Sequence, residues 1–227
     1  MIRVGITIGL EGGKFKPNWI REIRDPSGLV AEVRFTDASE FGESYIGDLL
    51  DLLEELPIPI SALKLPSPVT SEVLERGMFL ADQVGAKYLI VSNLKGVNLS
   101  KEVLKDLTGY ALTLCFEKGD FLKGLKEVRG LPGYYLALAY DLSSCESKEP
   151  LGEVMEYIGY IKVLRAFNRS PSGTKLPLFH PEGLWNLNGL IKALSKLPRE
   201  VLLVLDYDSD FGTYLKELNR IRELTLV

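Results

Sequence analysis

Histidine is nearly absent from this sequence. Its 227 residues hold one, His180, and a single glutamine, Gln83. A metal centre that needs several histidines cannot be built from such a chain. Cysteine is as scarce: Cys115 and Cys145 are the only two. They form no disulfide framework and fit a reducing compartment. No apolar run approaches the ~20 residues that span a bilayer, so no membrane partner is expected. Neither sign of charge dominates, and the net charge of −4 leaves no electrostatic footprint for nucleic acid. There is no Ser- or Pro-rich linker and no low-complexity stretch, which predicts one domain over residues 1–227. The opening MIRVGITIGLEGG lacks the long apolar region and small-residue cleavage site of a signal peptide, so a cytoplasmic protein is expected. Few amides beside many Lys and Glu match thermophilic compositions.

What is present is a folded-protein balance, 46% hydrophobic and 26% charged. Eight short apolar runs stand out, at 3–9, 29–35, 60–65, 88–93, 111–117, 134–141, 160–167 and 201–206. Their length and their Val, Ile, Leu and aromatic content are those of buried parallel strands. Amphipathic stripes separate them. Ile46, Leu49, Leu50, Leu53 and Leu56 draw one, and Val73, Leu74, Leu80, Ala81 and Val84 another. Leu187, Leu190, Ile191, Leu194 and Leu197, then Tyr214, Leu215, Leu218 and Ile221, draw two more. Shorter helices are expected over 17–24, 100–108, 121–129 and 150–158. Ser71 and Ser100 are candidate N-caps, Gly85 follows one helix and Pro198 closes another. Strand–helix alternation implies βαβ units and a parallel sheet. The first strand runs into ITIGLEGGKF without a GxGxxG turn, which argues against an open doubly wound sheet. Eight repeats therefore predict a closed (β/α)8 barrel of the TIM type.

The strands also show which side faces the barrel axis. Leu112, Leu114 and Phe116 alternate with Thr113, Cys115 and Glu117, and Leu136, Leu138 and Tyr140 with Ala137, Ala139 and Asp141. Smaller side chains suit the crowded interior. On this phase Glu117, Asp141 and Asp206 point inward at the C-terminal strand ends, where barrels place their sites. Carboxylates that close together need a cation. A divalent metal is one solution. Basic side chains are the other, and the candidates are Arg34, Lys64, Lys118, Arg165 and Arg169. A purely structural ion-pair rim is the competing reading.

The layout resembles the xylose isomerase-like barrels, a group of sugar-phosphate isomerases and epimerases that includes endonuclease IV. AEVRF resembles the family's second strand with its inward glutamate, Glu32. LTLCFEKG and LALAYDLSS resemble the fifth and sixth strands, whose terminal metal ligands correspond to Glu117 and Asp141. LFHPEGLWNLNGLIKAL resembles the loop and helix after the seventh, with His180 near the usual histidine. VLLVLD resembles the eighth, with Asp206 in place of a catalytic, metal-binding Glu. The sequence departs from the pattern in three places. No histidine follows Asp141 in LSSCES. The seventh strand, KVLRAFN, offers Arg165 and Asn168 where a metal-binding histidine is usual. The fourth ends SNLKG. A trinuclear zinc site is therefore excluded.

The resemblance implies an isomerase or epimerase acting on a sugar or sugar phosphate. A divalent cation (Mn2+, Mg2+, Co2+ or Zn2+) would lie on Glu117, Asp141 and Asp206, with Glu117 or Asp206 moving the proton. Arg34, Lys64, Arg165, Arg169 and His180 would hold the substrate's polar or anionic groups. The alternative is a metal-free barrel in which Arg165 neutralises the same carboxylates and a small anionic ligand is bound without catalysis. A third is Schiff-base chemistry on Lys64, set against an ion pair with Glu32 or another rim carboxylate. NRSPSGTK (168–175) reads as a phosphate-binding or lid loop, and Trp19, Phe41 and Trp185 as pocket walls or packing residues.

Overall fold

Alternation of small and large side chains decides which way each strand faces, and the two apolar layers of the molecule follow from it. A computed structural model of the protein describes residues 1–41, 45–95, 97, 109, 111–121, 136–145 and 149–226. Strand β1 (Ile2–Glu11) turns through Gly12 and Gly13, both at positive φ, into the antiparallel β2 (Lys14–Lys16). Next come β3 (Val30–Phe35), helix α1 (Ile46–Glu54), β4 (Ile60–Lys64), α2 (Ser71–Gln83) and β5 (Tyr88–Val91). The chain continues through β6 (Thr113–Glu117), β7 (Leu136–Asp141), α3 (Pro150–Tyr157) and β8 (Ile161–Ala166). A small hairpin, β9 (Asn168–Arg169) with β10 (Lys175–Leu176), precedes α4 (Asn188–Ser195), β11 (Val201–Leu205) and α5 (Phe211–Thr225).

The eight parallel strands are β1, β3, β4, β5, β6, β7, β8 and β11, each beside the next. Closure comes from β11 pairing with β1, from Ile2 opposite Val201 to Ile6 opposite Leu205. The fold is a (β/α)8 barrel of the TIM type. Inside it lie Val30, Ala62, Cys115, Ala137, Ala139 and Val204, a mostly small-residue layer. Outside, Ile6, Leu63, Leu114, Phe116, Leu138 and Leu203 pack under the helices. A barrel of this size has an interior just wide enough for side chains to fill.

Helix ends follow local chemistry. Thr70, not Ser71, caps α2: its Oγ1 accepts the N–H of Val73 at 3.3 Å, and Ser71 is the first helical residue. At the other end Gly85 takes φ +68°. Its N–H reaches the Asp82 carbonyl at 3.1 Å and that of Ala86 the Ala81 carbonyl at 2.8 Å, a Schellman closure. The expected helix over 17–24 is a 3-10 segment, Asn18–Glu22, beginning just after Pro17. The expectations over 100–108 and 121–129, and Ser100 with them, lie outside the described residues apart from Phe121. Among the described residues no helix is long and apolar enough to cross a membrane.

Candidate functional site

Strand register gathers charged side chains from around the barrel at its C-terminal mouth. Glu32 and Arg34 are two apart on β3 and so share its inner face. Arg34 stands beside Lys64 of β4, and Asp141 of β7 beside Arg165 of β8. Glu117 ends β6, and Asp206 follows β11.

Arg165 is the hub. Its residue is fully buried, the bulkiest side chain among the described residues to be so. Its Nε donates to Glu32 Oε1 at 2.9 Å and Oε2 at 3.1 Å. Its Nη1 donates to Glu117 Oε1 at 2.6 Å and lies 4.0 Å from Asp141 Oδ2. Lys64 Nζ shares Glu117 Oε1 at 2.6 Å. Arg34 donates from Nε to Glu32 Oε1 at 2.5 Å and pairs through Nη1 with Asp206 Oδ1 at 2.9 Å. Asp206 also accepts from Thr7 Oγ1 at 3.0 Å and from Lys175 Nζ. Asp141 Oδ1 takes the Ser143 N–H at 2.7 Å, which caps the turn after β7.

Four carboxylates (Glu32, Glu117, Asp141, Asp206) thus face four fixed cations (Arg34, Lys64, Arg165, Lys175). The electrostatics follow. Burial works to raise the Glu32 carboxyl, but the Arg165 and Arg34 guanidiniums outweigh it and hold it below the usual range. Glu117 is also lowered: burial is overcome by Lys64 and Arg165. Asp206 is lowered too, with Arg34 and Lys175 overcoming its burial. Arg165 is itself pushed up: its desolvation is outweighed by Glu32 and Glu117. All of these groups are held charged.

A cavity of about 760 Å3 opens on the Arg34–Asp206 side. Thr7, Arg34, Lys175 and Asp206 line it, with Lys16, Thr36, Thr174 and Asp208 around them. Its cations are Lys16, Arg34 and Lys175 and its anions Asp206 and Asp208; Lys16 pairs with Glu11, Arg34 with Glu32 and Asp206, and Lys175 with Asp206. Such a lining, rich in hydroxyls and fixed donors, is suited to a small polar molecule.

The structure therefore brings Arg34, Lys64, Glu117, Asp141, Arg165 and Asp206 into one network. It leaves two candidates elsewhere. The Arg169 guanidinium lies over the Trp185 ring, 5.4 Å from its centroid. His180 Nδ1 accepts the Glu182 N–H at 3.2 Å within its own loop, and its ring is near enough to Glu217 of α5 to favour that carboxylate's charge. Asn168 is a buried loop brace, bonded to the backbone of Leu178 and Trp185. Trp19, Phe41 and Trp185 pack against Phe211, Phe35 and Phe167 rather than walling the described cavity. Sequence reasoning misses Thr7 and Lys175. The inward alternation of Gly5, Thr7 and Gly9 points to the first, and the basic segment NRSPSGTK contains the second without marking its pairing with Asp206.

The carboxylates do not fit a resident divalent ion. Among the described residues no group of three or more His, Cys, Asp and Glu side chains is placed to hold one. A guanidinium stands where Glu32, Glu117 and Asp141 converge, and their charge is already balanced.

The same fold occurs in known proteins. A D-tagatose 3-epimerase-like protein aligns at a TM-score of 0.64 and 13% identity, over 98% of this chain and 96% of its own. A xylose isomerase domain protein from Planctomyces limnophilus aligns at 0.60 and 10%, over 99% and 96%. Endonuclease IV from Thermus thermophilus aligns at 0.54 and 16%, over 98% of each. No protein-family model matches the chain, and no curated protein matches it by sequence. What the chain shares with these proteins is the fold, a (β/α)8 barrel.

Proposed function

We propose that the barrel mouth binds a small anionic metabolite of the sugar class, a sugar acid or sugar phosphate, without a resident metal ion. The observation that carries this reading is the buried Arg165 guanidinium at the convergence of Glu32, Glu117 and Asp141. A guanidinium stays protonated at every physiological pH and supplies its charge with no ion to be lost. The cavity beside it adds Lys16, Arg34 and Lys175 for an anionic group and Thr7, Thr36 and Thr174 for hydroxyls. A single sheet-enclosed unit over 1–227, with neither nucleic acid nor membrane as partner, completes the reading.

A second reading, sugar isomerisation or epimerisation, is favoured by the fold shared with epimerase-like proteins. It would use Glu117 and Asp206 as proton carriers. Lys64, paired with Glu117 at 2.6 Å, is read as an ion-pair partner rather than a Schiff-base lysine. Borohydride treatment with carbonyl sugars should leave it unmodified.

The deciding experiment is calorimetric titration with sugar phosphates, sugar acids and neutral sugars, each with and without EDTA. Anionic sugars should bind equally well with chelator, and Lys175→Ala should weaken them about tenfold, or roughly 1.4 kcal/mol. Binding that occurs only with added Mn2+ or Zn2+, or only with neutral sugars, would refute the proposal. Turnover of a bound sugar without metal would establish the second reading.

A further inference from the structure

We infer that the end of the barrel opposite the mouth carries a second ligand site, for a small phosphate dianion held between Arg3 and Arg222. It stands apart from the proposed sugar site and does not depend on it. Strand β1 runs from one site to the other. Val4, Ile6 and Ile8 face the core under the helices, so Arg3 shares the opposite face with Thr7. Thr7 lines the mouth cavity, and Arg3 lies four residues back along the strand, roughly 13 Å away. A separate cavity of about 260 Å3 opens there. It sits where β1 begins, with Gly28 shortly before β3 and Glu200 just before β11. Leu218, Ile221 and Arg222 of α5 flank it.

The two guanidiniums of this cavity are not committed to carboxylates. At the mouth Arg34 and Arg165 are each ion-paired. Arg3, by contrast, has no hydrogen-bond or ion-pair partner among the described residues. Arg222 has a neutral one: its Nη2 donates to the Ser27 carbonyl at 2.8 Å, 195 positions away in the sequence. That bond fixes the guanidinium and leaves Nε and Nη1 for a ligand. Gly28 makes the arrangement possible. It takes φ +85°, and a Cβ there would stand 3.0 Å from Arg222 Nη2. The acidic residue of the lining, Glu200, is paired with Lys87 at 3.3 Å. Two permanent cations, with planar forks that match phosphate oxygens, thus line one cavity without a carboxylate of their own among the described residues. Val4, Leu218 and Ile221 give it an apolar side. Its size suits free phosphate or a monoester with a short carbon body, not a nucleotide.

The test is calorimetric titration of the full chain with inorganic phosphate and with phenyl phosphate at constant ionic strength, beside thermal unfolding. The parent is compared with Arg3→Gln, Arg222→Gln, Arg3→Lys and, at the mouth, Lys175→Ala. One equivalent of phosphate should bind the parent and raise its midpoint by roughly 5–10 °C at a hundredfold excess over Kd. Each glutamine variant should weaken that binding about tenfold or more, with a ligand-free midpoint within about 2 °C of the parent's. Arg3→Lys keeps the charge but loses the fork, so it should fall between parent and Arg3→Gln. Lys175→Ala should keep the equivalent. Tighter binding of phenyl phosphate assigns a monoester whose body lies on the apolar side, and equal or weaker binding assigns free phosphate.

Three results would overturn the inference. The first is a parent that binds neither probe. The second is binding unchanged in Arg3→Gln and Arg222→Gln, which places the anion elsewhere. The third is a midpoint shift that chloride reproduces at matched ionic strength, which is screening alone. Phosphate lost only in Lys175→Ala would belong to the mouth and is a case of the second result; it leaves the sugar proposal standing. Sugar phosphates that bind through Arg3 and Arg222 but not through Lys175 would do the reverse.

Discussion

Arg165 Nε donates to both carboxylate oxygens of Glu32, at 2.9 and 3.1 Å, tying β8 to β3 across the bore of the barrel. Glu32 is fully buried. Breaking such a pair leaves an uncompensated buried charge, whereas replacing both partners by apolar groups of similar size removes the charge as well. Arg165→Met should therefore lower stability by about 3–5 kcal/mol in urea unfolding. Arg165→Met with Glu32→Leu should lose less than Arg165→Met alone. A double variant as unstable as the sum of the two singles would mean the pair is not coupled.

Acid should act on the rim as a unit. In the folded protein Glu32, Glu117 and Asp206 sit below their ordinary values of 4.5, 4.5 and 3.8. Near pH 4 the unfolded chain therefore binds more protons than the folded one. The stability these groups contribute is complete above about pH 5 and is lost as pH falls through their lowered folded values. Glu117→Gln removes one of the three, so stability should fall less steeply with acid between about pH 5 and pH 3. Parallel acid limbs in parent and variant would show that Glu117 carries no such linkage.

The eight strands were legible because each is a short apolar run, and their inward phase because small residues alternate with large ones. Ala137 and Ala139 lie in the bore while Leu138 and Tyr140 lie outside it. The β1–β2 turn and the β9–β10 hairpin were not legible: two- and three-residue strands leave no periodicity to read. The cap of α2 fell within one residue, Thr70 and Ser71 both being competent chemically.

The site was legible where strand phase governs it. Glu117, Asp141 and Asp206 follow from alternation along their strands, Arg34 and Arg165 stand out as basic residues within theirs, and Glu32 follows from the family resemblance. It was not legible where loops fold back. Lys175 reaches Asp206 from 31 positions away, through a hairpin whose geometry no local signal announces. Arg169 and His180 belong to the same loop, and neither joins the carboxylate network described here. Loop side chains are aimed by tertiary contacts, in this case with Trp185 and α5.

One such contact is Glu217 of α5, whose Oε2 accepts the Leu178 N–H at 2.8 Å. Burial raises its carboxyl against the opposing pull of that N–H. A raised folded value means the folded chain holds this proton more tightly than the unfolded chain. The associated stability is complete below the unfolded value and is lost as pH rises through the folded one. Glu217→Gln keeps an acceptor for Leu178 and removes the buried charge. Its thermal midpoint should exceed the parent's at about pH 8, and the advantage should vanish by about pH 4. A variant that is weaker at both pH values would show that the charge itself holds the loop.

The loop after β8 hangs on a second device, the buried amide of Asn168. Its Nδ2 donates to the carbonyls of Leu178 and Trp185, both at 2.9 Å, and its Oδ1 accepts the N–H groups of Arg169 at 2.9 Å and Trp185 at 3.0 Å. The amide fits only because position 183 is glycine: a Cβ there would collide with the Asn168 side chain. That amide cannot swing aside without leaving buried backbone groups unpaired. Asn168→Ala should cost about 1–3 kcal/mol through those lost partners. Gly183→Ala should cost a similar ~1–3 kcal/mol through overpacking. Because both act on one set of bonds, the double variant should fall well short of the sum, and each single variant should speed protease cleavage between residues 177 and 185. Additive losses, or a loop equally protected in all three variants, would show that Asn168 does not brace this segment.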